Sequence, residues 1–221
     1  AGADRPERGM PGGASGSCLP VWHHSAAHPG RDRAQGQLPG RKVCLRMVPG
    51  PAAEGERTVQ LIAAVDRNWA IGRDGDQLAY LTADLKRFKA LTTAHTVILG
   101  RRTLATFPGG RPLPGRRNLV LSGKPDFRPQ GAEVFSSLET LLAVAPADAF
   151  VIGGGSVYWA LLPWCDRAYV TKIDAVFPGA DTWFPDLDAR EDWTVEAEEP
   201  PLEEGGLPFR YVTYRRIGSS S

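Results

Sequence analysis

Three short stretches of this 221-residue chain carry residue types whose spacing can do chemistry. The first is Ile152-Gly153-Gly154-Gly155-Ser156-Val157-Tyr158. An apolar run feeding three glycines and then a helix lets backbone N–H groups approach a phosphate closely. A dinucleotide-binding fingerprint with Asp174 as the ribose acid fits badly, because its third glycine would fall on the bulky Tyr158. A tight turn is the plainer alternative. Three consecutive glycines after a buried strand imply an unusual backbone held for ligand contact, a cis peptide being one form.

The second stretch is Gly100-Arg101-Arg102-Thr103. Two adjacent arginines and a hydroxyl at a helix start suit a phosphomonoester or pyrophosphate. A solvated basic turn has the same spacing. Ser122 and Lys124, at the end of the next strand, are placed to serve the same phosphate, and together these residues favour NADPH over NADH. The third stretch is Asp84 with Phe88, one turn apart on one helix face. A carboxylate among Leu81, Leu85 and Phe88 loses hydration unless something pairs with it. A flat amidine-like edge, with two N–H donors side by side, would satisfy both its oxygens. The alternative is an exposed acid that merely favours the helix dipole. Arg116, in a Gly/Pro-rich loop, offers a partner for a second, carboxylate-bearing end of the same ligand.

The elements that position these residues follow from periodicity. Residues 59–65 read as a strand buried on both faces, and residues 66–76 as a long polar loop. Thr82 is expected to cap a helix reaching Leu91, with Leu81, Leu85, Phe88 and Leu91 as its apolar stripe. Further strands are expected at 96–99, 118–122, 132–135, 149–152 and 166–173. Helices are expected from Arg101, over 137–144, and from the glycine run to Leu162. Residues 108–115 form a turn-rich loop. Residues 193–198 and 209–216 close the chain as an antiparallel pair. The fold class is therefore α/β, a single domain with a mostly parallel, mixed central sheet of about eight strands flanked by helices and ending in a C-terminal antiparallel hairpin.

Composition narrows the partners. Lys+Arg number 26 against Asp+Glu 25, so no electrostatic case exists for nucleic acid or an anionic membrane. No apolar run approaches the roughly 20 residues that span a bilayer. Three widely spaced cysteines, Cys18, Cys44 and Cys165, form neither a disulfide framework nor a zinc pattern, and a cytoplasmic location is expected. No metal site is expected. His23, His24 and His28 cluster in a segment with nothing to orient their rings.

That segment, residues 1–57, is crowded with Gly, Pro, Ala and Arg and is expected to be a disordered N-terminal extension. It reads poorly as a signal peptide or as an amphipathic transit helix. Position 1 is not Met and the patterned sequence starts at Val59, and a further hypothesis is that the segment is not native coding sequence. Detection of peptides from residues 1–46 in native material would overturn that. The expected domain covers 58–217, and 218–221 is a short tail.

From Val59 to Ile217 the chain resembles dihydrofolate reductase. The matching stretches are Leu61-Ile62-Ala63-Ala64, 66–72, Asp84-Leu85-Lys86-Arg87-Phe88-Lys89, 97–103, 110–122, 151–158, 169–174 and Asp181-Thr182-Trp183-Phe184-Pro185. Each is short, but their order and spacing are jointly specific. The resemblance implies NADPH-dependent reduction of dihydrofolate by a monomer. It makes Asp84 the acid on the pterin amino edge and Thr171 the hydroxyl that supports it. It makes Phe88, Phe107 and Leu113 apolar walls and Arg116 the clamp on the glutamate carboxylate. Ala64, Ile71 and Tyr158 become nicotinamide neighbours, with Ala64 shared by the substrate. Gly100, Arg101, Arg102, Thr103 and Ser122 become adenine-side contacts. Gly153-Gly154 matches the family's cis peptide, and Gly154, Gly155, Ser156 and Val157 its pyrophosphate turn. The loop from Asp66 to Leu81 is expected to close over the cofactor.

The sequence departs from the family at Leu78-Ala79, where Pro-Trp is common and the indole orders a water near the acid. Tyr80 is the candidate to compensate. Two other readings start from the same sequence: a riboflavin-pathway aminopyrimidine reductase of the same fold, which would need neither Asp84 nor Arg116, and a non-catalytic nucleotide-binding relative.

Overall fold

The computed structural model describes residues 59–218. The expectations for residues 1–57 and for the end of the tail, including the histidine cluster and two of the three cysteines, lie outside the described residues. The chain begins with β1 (Val59–Val65), β2 (Ala70–Arg73), β3 (Asp76–Gln77) and α1 (Thr82–Thr92). It continues through β4 (Thr96–Gly100), α2 (Arg101–Thr106), β5 (Arg117–Leu121) and β6 (Glu133–Phe135). Then come α3 (Leu138–Val144), β7 (Phe150–Gly153), α4 (Gly155–Leu161) and β8 (Cys165–Ile173). The last strands are β9 (Thr182–Trp183), β10 (Trp193–Glu198), β11 (Leu202–Glu204) and β12 (Leu207–Arg216).

The main sheet runs in the order β10-β12-β8-β1-β7-β4-β5-β6, with β11 paired to β12. The block from β8 to β6 is parallel throughout. Strand β12 is antiparallel to both β8 and β10, so the sheet is mixed as expected. β1 shows why its sequence is apolar on both faces. Val59, Leu61 and Val65 are buried in one cluster with residues of α3 and α4, while Ile62 packs into a second with Phe88, Leu91 and Leu104 of α1 and α2. The strand period of two thus divides one apolar run between two layers. Helices α1 and α2 cover one face of the sheet, and α3 and α4 the other.

Three local expectations need correction. The stretch 66–76 is not a plain polar loop: β2 and β3 pair within it, and β9 joins them in a separate three-stranded sheet. Their short lengths and glycine content gave no periodic signal. Thr82 does not cap α1, because it is already helical, and the N-cap position is Leu81, which has no side-chain acceptor. Leu85 is not part of the buried stripe, being 45% exposed. By contrast, Ser137 caps α3 through a bond from the Thr140 amide, the usual short-range solution for a helix start.

Candidate active site

Parallel strands aim their carboxyl ends at one edge of the sheet, where ligands of open α/β folds gather. In this chain those ends bring together Ala64 of β1, Gly100 of β4, Gly153 of β7 and Thr171 of β8. Ala64 and Thr171 are direct register partners. Above them lies the first turn of α1, and the Thr171 hydroxyl donates to Asp84 Oδ1 at 2.5 Å. Thr171 is buried and Asp84 half-buried. Burial pushes the Asp84 carboxyl above its ordinary range, while the Thr171 hydrogen bond and the Arg87 charge pull the other way. A carboxylate left short of water, with one oxygen held by a single hydroxyl, still has lone pairs to offer a donor pair.

The residues expected to wall the ligand come from separate elements. Phe88, Phe107 and Leu113 each pack against the second core cluster, although the sequence separates them by up to 25 positions. Arg116 stands beside them with its guanidinium 5.8 Å from the Phe88 ring centroid. It donates to Thr92 Oγ1 at 2.9 Å and to the Pro114 carbonyl at 3.0 Å. Among the described residues no carboxylate pairs with it. Desolvation lowers its affinity for the proton from the ordinary arginine value, yet an arginine keeps its charge. An orientated cation held only by neutral acceptors is a ready carboxylate receptor.

On the other side, Tyr158 of α4 donates its hydroxyl to the Ile62 carbonyl at 2.7 Å. It is buried, and burial together with the Asp84 charge drives its phenol far above the ordinary value. It therefore serves as a neutral donor and wall. The peptide Gly153–Gly154 is cis, as the resemblance implied. Glycine is needed here because of close approach. A Cβ on Gly155 would lie 2.8 Å from Thr182 Cγ2, and one on Gly154 would lie 3.0 Å from Thr103 Oγ1. Gly100 meets the same turn, a Cβ there falling 3.0 Å from Val157 Cγ2. The two glycine turns thus lie against each other, with the Thr103 side chain against Gly154 and Ser156 exposed beside them.

Arg101 and Arg102 are exposed next to these turns, and neither pairs with a carboxylate among the described residues. Arg101 lies 6.0 Å from the Phe127 ring centroid. Ser122 is more inward than a free phosphate ligand: it is buried, and its hydroxyl oxygen accepts from the Lys124 amide. Ile71 of β2 packs against the first core cluster. Tyr80, the candidate to compensate for the absent indole, has its hydroxyl bonded to Asp76 and is 52% exposed.

Several participants escaped the sequence reading. Asp66 is buried and accepts from the amides of Asn68, Ala70 and Phe177, at 2.8, 2.9 and 3.1 Å. It therefore fixes the start of the 66–81 segment. Asp181 holds its middle by accepting from the Asp74 amide at 2.9 Å. The Asx-turn pattern Asp66-x-Asn68 was a usable local signal. The Asp66 bond to Phe177 and the Asp181 bond to Asp74 join residues over 100 positions apart and leave no spacing to read.

Comparison with known proteins agrees with this geometry. A family model described as dihydrofolate reductase matches residues 58–216. Dihydrofolate reductase from Bacillus subtilis is 39% identical over 166 residues, covering 73% of this chain and 96% of that protein. The Mycobacterium tuberculosis enzyme is 42% identical over 161 residues, covering 72% and 98%. Among solved structures, dihydrofolate reductase from Enterococcus faecalis complexed with NADP(H) and RAB-propyl superposes with a TM-score of 0.65. It is 37% identical and covers 73% of this chain and 98% of that one.

Proposed function

The chain belongs to the dihydrofolate reductase family, and from that membership we propose a site in which Asp84 anchors the pterin and Arg116 the glutamate end of the substrate. The reaction is NADPH-dependent reduction of 7,8-dihydrofolate to 5,6,7,8-tetrahydrofolate, a step that supports one-carbon metabolism. The observation that carries the site assignment is the Asp84–Thr171 pair, a partly desolvated carboxylate with an unused oxygen at the carboxyl ends of β1 and β8.

The chain's residues suit NADPH. At Gly155 a Cβ would clash, at Gly100 and Gly154 it would be tight, and Gly153 has a φ of 131°, so these turns stay free of side chains and their backbone is available to meet a pyrophosphate. Arg101, Arg102 and Thr103 would hold the 2′-phosphate side, and Ala64, Ile71 and Tyr158 the nicotinamide side. When bound, NADPH supplies the hydride that reaches pterin C6. Asp84 accepts from the amino group and neighbouring ring nitrogen, which orients and polarises the ring. Those atoms and N5 lie at opposite ends of the pterin, so Asp84 does not hand its proton directly to N5, and solvent delivers it. The 66–81 segment, fixed by Asp66 and Asp181, limits the access of bulk water. Phe88, Phe107 and Leu113 line the aminobenzoyl path to Arg116.

We place the enzyme in the cytoplasm as a monomer with no nucleic-acid or membrane partner. Near-neutral charge supports the lack of a nucleic-acid partner, and no described helix is long and apolar enough to cross a membrane. The test is NADPH oxidation offered dihydrofolate or, separately, a ribosylated aminopyrimidine. Turnover with dihydrofolate alone is expected. Turnover only with the aminopyrimidine, or with neither, overturns the reading.

A further inference from the structure

The first turn of α1 has an unusual solution to an ordinary problem. Its leading amides need acceptors, yet the N-cap residue Leu81 supplies none. The acceptor comes instead from a strand more than 120 positions away. Glu204, the last residue of β11, accepts from the Thr82 amide through Oε1 at 2.7 Å and from the Ala83 amide through Oε2 at 2.9 Å. Gly205 and Gly206, with φ of 60° and 78°, turn the chain immediately into β12. The same hairpin grips α1 elsewhere. Leu81 is buried with Phe209 and Tyr211, and Arg87 lies 4.1 Å over the Tyr211 ring while pairing with Glu199 at 3.5 Å. Asp84 is the very next residue after the two amides that Glu204 holds.

We propose that Glu204 is a positioning residue for the reaction: its two-oxygen grip on consecutive amides sets the orientation of the first turn of α1, and so the aim of Asp84 at the substrate. This rests on the reading of Asp84 as the substrate anchor. A single acceptor would leave the turn free to pivot, whereas two bonds to adjacent amides fix its rotation as well. The grip also closes the far end of the 66–81 segment, which Asp66 anchors at its start and Asp181 in its middle. The Thr82 and Ala83 amides hold the Glu204 carboxyl below its usual range, so the grip is charged at neutral pH.

The experiment compares Glu204→Ala and Glu204→Gln in the full chain, measuring kcat and KM for dihydrofolate, Kd for NADPH and resistance to denaturant. Loss of a cap of this kind corresponds to about a five- to tenfold change in an equilibrium. Glu204→Ala is expected to raise KM for dihydrofolate by about that factor, with NADPH Kd changed less than about twofold. Glu204→Gln, which keeps one acceptor oxygen, is expected to fall between it and the parent. Should Glu204→Ala fail to fold, the Gln variant carries the test. Unchanged KM in folded variants overturns the proposal, and so does an equal loss of NADPH and dihydrofolate binding, the mark of general loosening. Asp84→Asn, measured alongside, separates the two readings. If that variant is inactive while the Glu204 variants match the parent, only the Glu204 role fails. If Asp84→Asn is fully active, the anchor reading fails first.

Discussion

Replacing Thr171 with Val removes the hydroxyl and preserves the shape, so its consequences fall on Asp84. The bond lost is 2.5 Å long, from a buried donor to a half-buried carboxylate. Hydrogen bonds to charged groups contribute about 1.5–3 kcal/mol and neutral ones about 0.5–1.5 kcal/mol. With Asp84 partly exposed, about 2 kcal/mol is expected for the ionised state. The sign with pH follows from linkage. The folded-state pKa of Asp84 is raised by burial and held down by Thr171, so the variant's folded pKa lies higher still. The full loss of stability therefore appears at pH values above the variant's folded pKa. It shrinks as pH falls through that value and then through the parent's, leaving about 1 kcal/mol for the neutral bond. Denaturant titrations of parent and variant from pH 4 to 8 would measure it, and the same substitution in an Asp84→Asn background isolates the pair. A loss that does not vary with pH, or that persists in full without the carboxylate, refutes the coupling.

Two further substitutions probe the ends of the site. Arg116→Leu removes the orientated cation, and KM for dihydrofolate should rise about 10- to 100-fold while a pterin lacking the glutamate is unaffected. An equal effect on both substrates contradicts the clamp role. Arg102→Leu should weaken NADPH binding about tenfold and leave NADH binding unchanged, as measured by fluorescence titration; equal weakening of both places Arg102 away from the 2′-phosphate.

Most of the main sheet was legible because its strands are long enough to show an uninterrupted apolar run, as in Val97-Ile98-Leu99. The parallel order followed from their alternation with helices. What stayed hidden was built from contacts distant in sequence. β2, β3 and β9 are each four residues or shorter and are joined only by pairing across the chain. Thr82 has the residue type of an N-cap, but the carboxylate of Glu204 occupies that role. Leu85 fitted a helical stripe, yet it is 45% exposed. Within the site, the apolar neighbours of Asp84 left it open between a ligand partner and an acid that merely favours the helix dipole, with Arg116 tipping the balance, and the three glycines stood out by their run. The inward turn of Ser122 and the commitment of Tyr80 to Asp76 depended on backbone geometry that spacing does not carry.

The most direct test of the account is Asp84→Asn, an isosteric change that removes the charge and half of the acceptor capacity. kcat/KM for dihydrofolate is expected to fall by about 100- to 1000-fold, the cost of losing an electrostatic anchor in a sheltered site. NADPH Kd should stay within about twofold, since Asp84 is assigned no contact with the cofactor. Near-parental turnover by the folded variant would contradict the central claim that this carboxylate holds the substrate.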